Sequence, residues 1–294
     1  KDTSGYVRGK VGDDATGKGT YDSPFATIQH GLAYAVAKGF PAVRVTEGYY
    51  PVDGVGSPEI ALVEGISLYG GYSYPDWFHA PKLFVTEVID TRSGGALGAP
   101  NACIVASGEI TGATEISGFH IFGSGTYSTS IFCELGASPV IRNNYIDGGI
   151  DPAATETYGI VINNAAPLVE DNTIIGGHGD LTIAIEISGL QNPEIINNII
   201  FGGEAVSTAH GIRSIAAAAP LIVENEIDGG YTGTTYGIYL ENSSPDIRDN
   251  HIFGGRATTG NAYGIHNFSF SSPNIENNDI IGGEGPTVYG IFLN

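Results

Sequence analysis

The residues best suited to bind a ligand stand beside a short Gly-Ile phrase that recurs, with variants, along the second half of the chain. Glu186, Arg213, Tyr239 and His266 each follow the Ile of one copy, and Glu241 stands two places beyond Tyr239. Aromatic rings mixed with carboxylate, guanidinium and imidazole groups suit the apolar faces and hydroxyls of a sugar chain. We therefore predict a glycan-binding face here, although a solvated sheet face of mixed composition fits the same residues.

Acidic side chains in two other places could hold a hard cation. Asp13, Asp14 and Asp22 lie in a Gly-rich segment near the start of the chain, and Glu224 and Asp249 share one column of a repeat. Ca²⁺ prefers carboxylate and carbonyl oxygens, so these residues are the candidate metal ligands. Solvated turn acids are the alternative. The pattern requires no other cofactor, and it contains no His/Cys cluster that would favour zinc.

A twelve-residue phrase that occurs six times must position the candidate ligand-binding residues. Its copies are SPVIRNNYIDGG, APLVEDNTIIGG, NPEIINNIIFGG, APLIVENEIDGG, SPDIRDNHIFGG and SPNIENNDIIGG, and their prolines are 28, 26, 27, 25 and 28 residues apart. Each copy has a β-branched residue three places before a shared Asn and an Ile two places after it. Segments this short and this rich in Ile and Val predict strands rather than helices.

The shared Asn gives the sharpest indication of the fold. It stands at Asn144, Asn172, Asn198, Asn225, Asn250 and Asn278. One such unit cannot bury its own apolar face, whereas stacked copies bury a continuous core and bring the amides into a hydrogen-bonded row. The sequence therefore predicts an all-β fold, a right-handed parallel β-helix with an Asn ladder and about 26–27 residues per coil. About eleven coils would give a rod roughly 50 Å long.

The first fifty residues differ from the repeat and predict a cap. Ser23 is a good helix N-cap, Pro24 suits the first helical position and Gly39 can end the helix. We expect residues 1–52 to form a strand and capping-helix module and residues 53–294 to form one continuous β-helix domain. We expect no comparable cap at the C-terminal end, where unpaired strand backbone would invite another chain.

The composition argues against several partners and locations. The chain has 12 Lys and Arg against 32 Asp and Glu, and a net charge of −20 disfavours nucleic acid and anionic membrane surfaces. Its most apolar stretch, residues 214–223, is too short for a transmembrane segment. The start at Lys1 predicts a secreted protein, extracellular or on the cell surface, whose export signal has been removed. Cys103 and Cys133 are too few for a disulfide framework and predict buried free thiols.

Two parts of the sequence resemble a known group of proteins. The Asn ladder and the coil length resemble the pectate-lyase superfamily of right-handed β-helices. The start, YVRGKVGDDATGKGTYDSPFATIQHGLAYAVAKG followed by VRVTEGYY, resembles a module found on many bacterial extracellular β-helix proteins. The resemblance implies enzymes that cleave acidic polysaccharides, either as lyases with a Lys or Arg base and Ca²⁺, or as hydrolases with paired carboxylates.

This chain departs from both kinds of enzyme. Gly177-His178-Gly179 matches one block of the hydrolases, but Ile174 stands where a second block, beginning at Asn172-Thr173, would have its acid. No Lys follows Lys82, so the coils offer only Arg as a lyase base. We therefore assign no catalytic residue from the sequence.

These features favour a non-catalytic extracellular structural protein that self-associates through its uncapped C-terminal end, as a filament or surface assembly. Its partner would be a second copy of the chain or another cell-surface molecule. The alternative is a polysaccharide-binding or polysaccharide-cleaving, lyase-like β-helix protein that uses the face from Glu186 to His266, with an acidic polysaccharide as its partner. A third interpretation is a piece of a longer surface protein.

Overall fold

The protein is a stack of parallel strands with one helix at its N-terminal end. The computed structural model describes residues 3–9, 12–54, 59–96 and 101–294. Within these residues the strands form three parallel sheets, and each coil passes through sheet 1, sheet 2 and sheet 3 in that order. The parallel β-helix predicted from the twelve-residue phrase is confirmed.

The elements have the following bounds. Those up to residue 134 are β1 (Ser4–Val7), α1 (Ile28–Lys38), β2 (Ala42–Thr46), β3 (Gly48–Val52), β4 (Ile60–Ala61), β5 (Ser67–Tyr72), β6 (Thr86–Asp90), β7 (Asn101–Ser107), β8 (Glu115–Ser117), β9 (Phe119–Phe122) and β10 (Tyr127–Glu134). Those from residue 140 to residue 215 are β11 (Val140–Arg142), β12 (Tyr145–Asp147), β13 (Glu156–Asn163), β14 (Leu168–Glu170), β15 (Thr173–Ile175), β16 (His178–Ser188), β17 (Glu194–Ile196), β18 (Ile199–Phe201) and β19 (Glu204–Ile215). Those after residue 220 are β20 (Leu221–Val223), β21 (Glu226–Asp228), β22 (Tyr231–Thr232), β23 (Thr234–Glu241), β24 (Asp246–Arg248), β25 (His251–Phe253), β26 (Arg256–Ala257), β27 (Asn261–Phe268), β28 (Asn274–Glu276), β29 (Asp279–Ile281) and β30 (Thr287–Leu293).

Strands that are one coil apart are neighbours in each sheet. Sheet 1 has the order β1-β2-β5-β8-β11-β14-β17-β20-β24-β28, and sheet 2 has the order β3-β6-β9-β12-β15-β18-β21-β25-β29. Sheet 3 has the order β4-β7-β10-β13-β16-β19-β23-β27-β30, with the short strands β22 and β26 beside it. Equivalent strands of successive coils pair residue for residue, apart from register shifts between Arg44 and Thr46 and between Gly179 and Leu181, so equivalent side chains form columns along the stack.

The apolar columns of the repeat form the core. Ile141, Val169 and Ile195 in sheet 1 are fully buried, and so are Ile160 and Ile185 in sheet 3. Burial of successive Ile and Val side chains from all three sheets is the main source of stability for a coil that has no core of its own.

The number of coils is smaller than expected, about nine rather than eleven. The expectation extended the spacing of the later coils over the whole chain, but Leu68 pairs directly with Ile116. Between β5 and β8 a single coil therefore takes 48 residues, as the separation of Ser67 and Glu115 shows. Nine coils correspond to a stack about 43 Å long.

The predicted Asn ladder is present and hydrogen-bonded throughout. The backbone N–H of Asn172 donates to the side-chain oxygen of Asn198 at 3.0 Å, and its side-chain amide donates to the same oxygen at 3.1 Å. The amide also donates to the carbonyl of Ile141 on the previous coil at 2.8 Å. Asn144, Asn225 and Asn250 repeat this pattern. The residue before each Asn adopts a left-handed conformation, as Asp171 does with φ 56°.

The capping helix is present, but it begins later than expected. Its N-cap is Thr27, whose side chain accepts a hydrogen bond from the backbone N–H of His30 at 3.3 Å. Ser23 and Pro24 lie before it, because the Asp14 carboxylate accepts hydrogen bonds from the backbone N–H groups at positions 26 and 27 and holds this segment outside the helix. Gly39 ends the helix with φ 65°, as predicted. No helix among the described residues has the length and apolar character needed to span a membrane.

Candidate functional site

A groove on the outer face of sheet 3 is the candidate site. It has a volume of about 460 Å³. Its lining residues are Ala96, Tyr127, Phe132, Glu156, Tyr158, Val161, Asn163, Leu181, Glu186, Ser188 and Arg213. We call it the Glu186 groove. Most of these residues come from four consecutive strands, β10, β13, β16 and β19, so the stacking of coils rather than any loop builds the site.

Strand alternation places the polar side chains of the groove on the outer face of sheet 3. Ile185 and Ile212 point into the core and are fully buried, so their neighbours Glu186 and Arg213 point away from it. Val161, Glu186, Arg213 and Tyr239 pair in register on successive coils. The polar groups are thereby held on a rigid sheet at a spacing of about 4.8 Å along the stack.

The centre of the groove is an ion pair. An Nη atom of Arg213 donates to Glu186 Oε2 at 2.9 Å, and the Glu186 side chain is only 16% exposed. Burial raises the pKa of Glu186, and the positive charge of Arg213 opposes that rise. The carboxylate is therefore desolvated but paired, which keeps it available as an acceptor with a fixed direction.

A second carboxylate lies beside the first. The hydroxyl of Tyr158 donates to Glu156 Oε2 at 2.6 Å. Burial is the main reason that the pKa of Tyr158 is raised, and the negative charge of Glu186 adds to the effect. Tyr158 is therefore a neutral donor at ordinary pH, and its ring forms part of the groove wall.

Aromatic side chains continue the same face toward the C-terminal end. We call His210, Tyr236, Tyr263 and Tyr289 the aromatic ladder, because their rings stack at 4.7, 5.0 and 5.2 Å from one to the next. Interplanar angles of 4–10° show that the ring faces cover one another. The ladder therefore presents ring edges and hydroxyls outward rather than open faces.

Tyr239 and Glu241 form a separate polar pair on this face. The Tyr239 hydroxyl donates to Glu241 Oε2 at 3.2 Å. Burial, together with the charge of Glu241, raises the pKa of Tyr239 to about 12. His266 lies 4.7 Å from the ring of Tyr263. Its two ring nitrogens are buried, and no hydrogen-bond partner for them lies among the residues that the structure describes.

The five residues predicted from the Gly-Ile phrase all lie on this outer face, but they make different contacts and do not form a single site. Glu186 and Arg213 line the groove, and Tyr239 and Glu241 form their pair one coil further along. His266 is packed among aromatic rings, and burial lowers its pKa. It therefore belongs to the packing of the face rather than to the open groove.

Sequence reasoning missed Glu156, Tyr158 and the aromatic ladder. The signal was the residue immediately before each Gly-Ile, which is Tyr in four copies and His in one: Tyr158, His210, Tyr236, Tyr263 and Tyr289. The residue before this Gly-Ile and the residue after it both point outward, because Gly159 and the equivalent glycines lie close against the next coil. A Cβ at Gly159 would lie 2.6 Å from the carbonyl oxygen of Ala184. The alternation of inward and outward side chains along the strand is therefore interrupted there.

The candidate metal ligands near the N-terminus already have protein partners. Asp13 accepts hydrogen bonds from the backbone N–H groups of Ala15 and Thr16 and from the Thr16 hydroxyl. Asp14 accepts three hydrogen bonds from residues 26 and 27. Across residues 3–9, 12–54, 59–96 and 101–294, no three His, Cys, Asp or Glu side chains come together as a metal site.

The remaining candidate ligands are turn residues. Asp22 lies in a turn before α1, and Glu224 and Asp249 occupy left-handed turn positions next to the Asn ladder, both with φ 57°. Ca²⁺ binding by either group stays a prediction.

The hydrolase-like block at Gly177-His178-Gly179 is part of a corner. Gly177 has φ 95° and links sheet 2 to sheet 3, and His178 lies on the surface with its Nδ1 3.6 Å from a carboxylate oxygen of Glu204. His178 is the first residue of β16, directly after this corner, and it does not line the Glu186 groove.

Comparisons with known proteins agree with this architecture. The family model described as right handed beta helix region matches residues 129–293. The Dettilon tailspike protein is similar in structure, with a TM-score of 0.50 and 14% identity over 88% of this chain and 53% of that chain. The Geobacillus virus E2 protein ORF18 has a TM-score of 0.47 and 12% identity over 84% and 52%. Pectate lyase Pel9A has a TM-score of 0.49 and 12% identity over 94% and 78%.

These likenesses concern the fold. The chain spans about half the length of the Dettilon tailspike protein and of the Geobacillus virus E2 protein. No curated protein matches the sequence.

Proposed function

Because the chain belongs to the right-handed β-helix family, whose coils present side chains on rigid outer faces, we propose that it is a carbohydrate-binding protein that holds a glycan in the Glu186 groove. The observation that carries the proposal is the groove itself. It combines the paired Glu186 and Arg213 with Glu156 and with the rings of Tyr127 and Tyr158.

The groove chemistry suits a sugar better than a purely apolar ligand. A sugar ring has an apolar face and a rim of hydroxyls that both donate and accept hydrogen bonds. Tyr127 and Tyr158 offer apolar ring surface, and Glu186, Arg213 and Asn163 offer fixed acceptors and donors. A volume of about 460 Å³ falls in the range of small-ligand sites, enough for a few sugar units.

We propose retention of the glycan rather than its cleavage. Among the described residues, the groove has no free base of the kind that a lyase needs. Arg213 is the one Lys, Arg or His among its lining residues, and its guanidinium is bound to Glu186 at 2.9 Å. We expect chromatography of an overnight incubation to recover the bound glycan at its original length. Shortened or unsaturated products would make the protein an enzyme.

Binding can be tested by isothermal calorimetry against a panel of neutral, amino-bearing and uronate oligosaccharides. We expect the double variant Glu186→Ala/Arg213→Ala to lose at least tenfold in affinity for whichever sugar binds, since it removes the central ion pair. The matched control is Arg142→Ala, which breaks an Arg–Glu pair with a 2.6 Å contact on sheet 1, away from the groove. Absence of binding across the panel, or equal loss in both variants, would contradict the proposal.

We also propose that the protein is extracellular and that it self-associates through its last coil. The outermost strands β28, β29 and β30 each pair on one side only within the described residues. Ile291 is 45% exposed although its equivalent Ile265 is fully buried. Such an apolar surface would favour contact with a further chain or segment. The oligomeric state in solution measures this contact.

A further inference from the structure

We propose that the glycan held in the Glu186 groove carries amino groups, and that the groove discriminates against polyuronates. This inference rests on the proposed function, because it names the class of sugar that the same groove would take. The resemblance to enzymes that cleave acidic polysaccharides implies a negatively charged glycan instead.

The groove has one positive side chain and two negative ones. Arg213 is the only Lys, Arg or His among the lining residues, and its guanidinium is bound to Glu186 at 2.9 Å. The second carboxylate, Glu156, forms no ion pair with any Lys, Arg or His in the part of the chain that the structure describes. The groove therefore has an uncompensated negative charge and no free cation.

Glu156 is placed to receive a positive group from the ligand. It is half-buried, and one of its oxygens accepts from the Tyr158 hydroxyl at 2.6 Å, which leaves the other oxygen for a ligand. A charge-assisted hydrogen bond to an ammonium is about twice as strong as a neutral one. The same carboxylate would repel the carboxylate of a uronic acid.

The aromatic lining adds a second preference for positive charge. Tyr127, Phe132 and Tyr158 line the groove together with Glu156. A cation close to the face of an aromatic ring is attracted by the ring quadrupole, and more strongly where the cation is desolvated. An amino group on a sugar ring could therefore meet a carboxylate and an aromatic ring in the same place.

The electrostatic field of the whole molecule also favours a positively charged ligand. The chain has a net charge of −20, and no Lys follows Lys82, so every coil that builds the groove is poor in bases. Such a surface attracts cationic chains and repels polyanions beyond the range of direct contact. Salt weakens this long-range part, whereas the contact with Glu156 is screened less.

The test compares short sugar oligomers that carry positive, neutral and negative charge, of which the first two share one backbone. Calorimetry at about 150 mM salt would measure affinity for a β-1,4-linked glucosamine tetramer, its fully N-acetylated equivalent and a galacturonate tetramer. We expect the glucosamine tetramer to bind at least tenfold more tightly than the acetylated one, and the uronate to bind most weakly.

The variant Glu156→Gln isolates the groove contribution. The amide oxygen can still accept from Tyr158, so the local packing is kept while the charge is removed. The matched control is Glu194→Gln, which makes the same charge change at an exposed position of sheet 1. We expect the preference for the amino sugar to be lost in Glu156→Gln and kept in Glu194→Gln.

The outcomes separate the two proposals. Equal affinity for the two glucosamine oligomers, a preference for the uronate, or an equal effect of both Gln variants would overturn the amino-sugar inference. In those cases, binding that is still lost in Glu186→Ala/Arg213→Ala would leave the proposed function standing. Failure of all three oligomers and of the wider panel would overturn both.

Discussion

At the scale of single residues, the outer face of sheet 3 depends on groups whose charge is suppressed by packing. His210 is the clearest case. Its ring stacks on Tyr236 at 4.7 Å, and burial, together with the charges of Arg213 and His266, lowers the pKa of His210 to about 3. An unfolded His titrates near 6.5. The folded state therefore prefers neutral His210, and this contribution is present in full above about pH 6.5.

The stability of the protein should therefore fall as the pH drops from about 6.5 toward 3, because protonation favours the unfolded chain. We expect His210→Phe, which keeps an aromatic ring in the ladder, to lose less Tm than the wild type between pH 7 and pH 4. Thermal unfolding followed by circular dichroism measures this. The control is His178→Gln on the exposed corner, which should keep the wild-type slope. A wild-type slope in His210→Phe would contradict the assignment.

The two cysteines show the same effect of burial on a thiol. Cys103 and Cys133 are free and fully buried, as the sequence predicted. Desolvation raises the pKa of Cys133 to about 12, and that of Cys103 is raised as well.

We expect neither thiol to react with a thiol reagent at pH 8 in the folded protein, because the thiolate is the nucleophile. Both should react fully in denaturant. Mass spectrometry of the alkylated protein would count them, and rapid labelling of either cysteine under native conditions would show that its part of the core is open.

At the scale of elements, the Asn ladder joins one coil to the next. Asn198 is buried, and its side chain makes hydrogen bonds to three coils: its amide donates to Val169, Ile196 and Asn225, and its oxygen accepts from Asn172. A truncation at this position leaves several buried donors and acceptors without partners, and each such group costs about 1–3 kcal/mol.

We expect Asn198→Ala to lower the free energy of unfolding by about 3–5 kcal/mol, measured by urea denaturation. The adjacent Asn197 provides the control, because it is exposed and left-handed with φ 52°. Asn197→Gly should change stability by less than about 1 kcal/mol, since Gly adopts that conformation freely. Similar losses in both variants would mean that the ladder contributes no more than an ordinary turn.

At the scale of the whole molecule, the stack supports the proposed groove on the outer face of sheet 3, and its last coil exposes core side chains. Ile291 and Leu293 of β30 are 45% and 69% exposed. The negative charge of the chain opposes close approach of two copies, while these apolar groups favour it.

Self-association should therefore increase with salt, because salt screens the repulsion more than it weakens apolar contact. Sedimentation velocity at micromolar concentration, at about 50 mM and 500 mM salt, measures this. The double variant Ile291→Asp/Leu293→Asp should stay monomeric in both conditions. A wild type that is monomeric at every salt concentration would remove the self-association prediction, while the glycan proposal would be unaffected.

Periodicity in the sequence determined the fold of this protein. Shared columns such as Asn198 and Ile200 recur at the coil length, and a parallel stack is the arrangement that lets each coil bury its apolar face and pair its amides. The same columns placed Glu186 and Arg213 outward on neighbouring coils. The count of coils was wrong because the first coils hold long insertions, which the periodicity of the later coils cannot reveal.

Only the tertiary structure decided how the outward residues combine. It joined Tyr158 to Glu156, enclosed His266 among aromatic rings and, within the described part of the chain, gave Glu156 no ion-pair partner. These outcomes depend on Gly159 and its equivalents pressing against the next coil, which turns two neighbours outward instead of one. A column can be recognised along the sequence, whereas contacts such as those of Glu186 with Arg213 and of Asn225 with Asn250 join side chains 25 to 27 residues apart, which meet only when the coils stack.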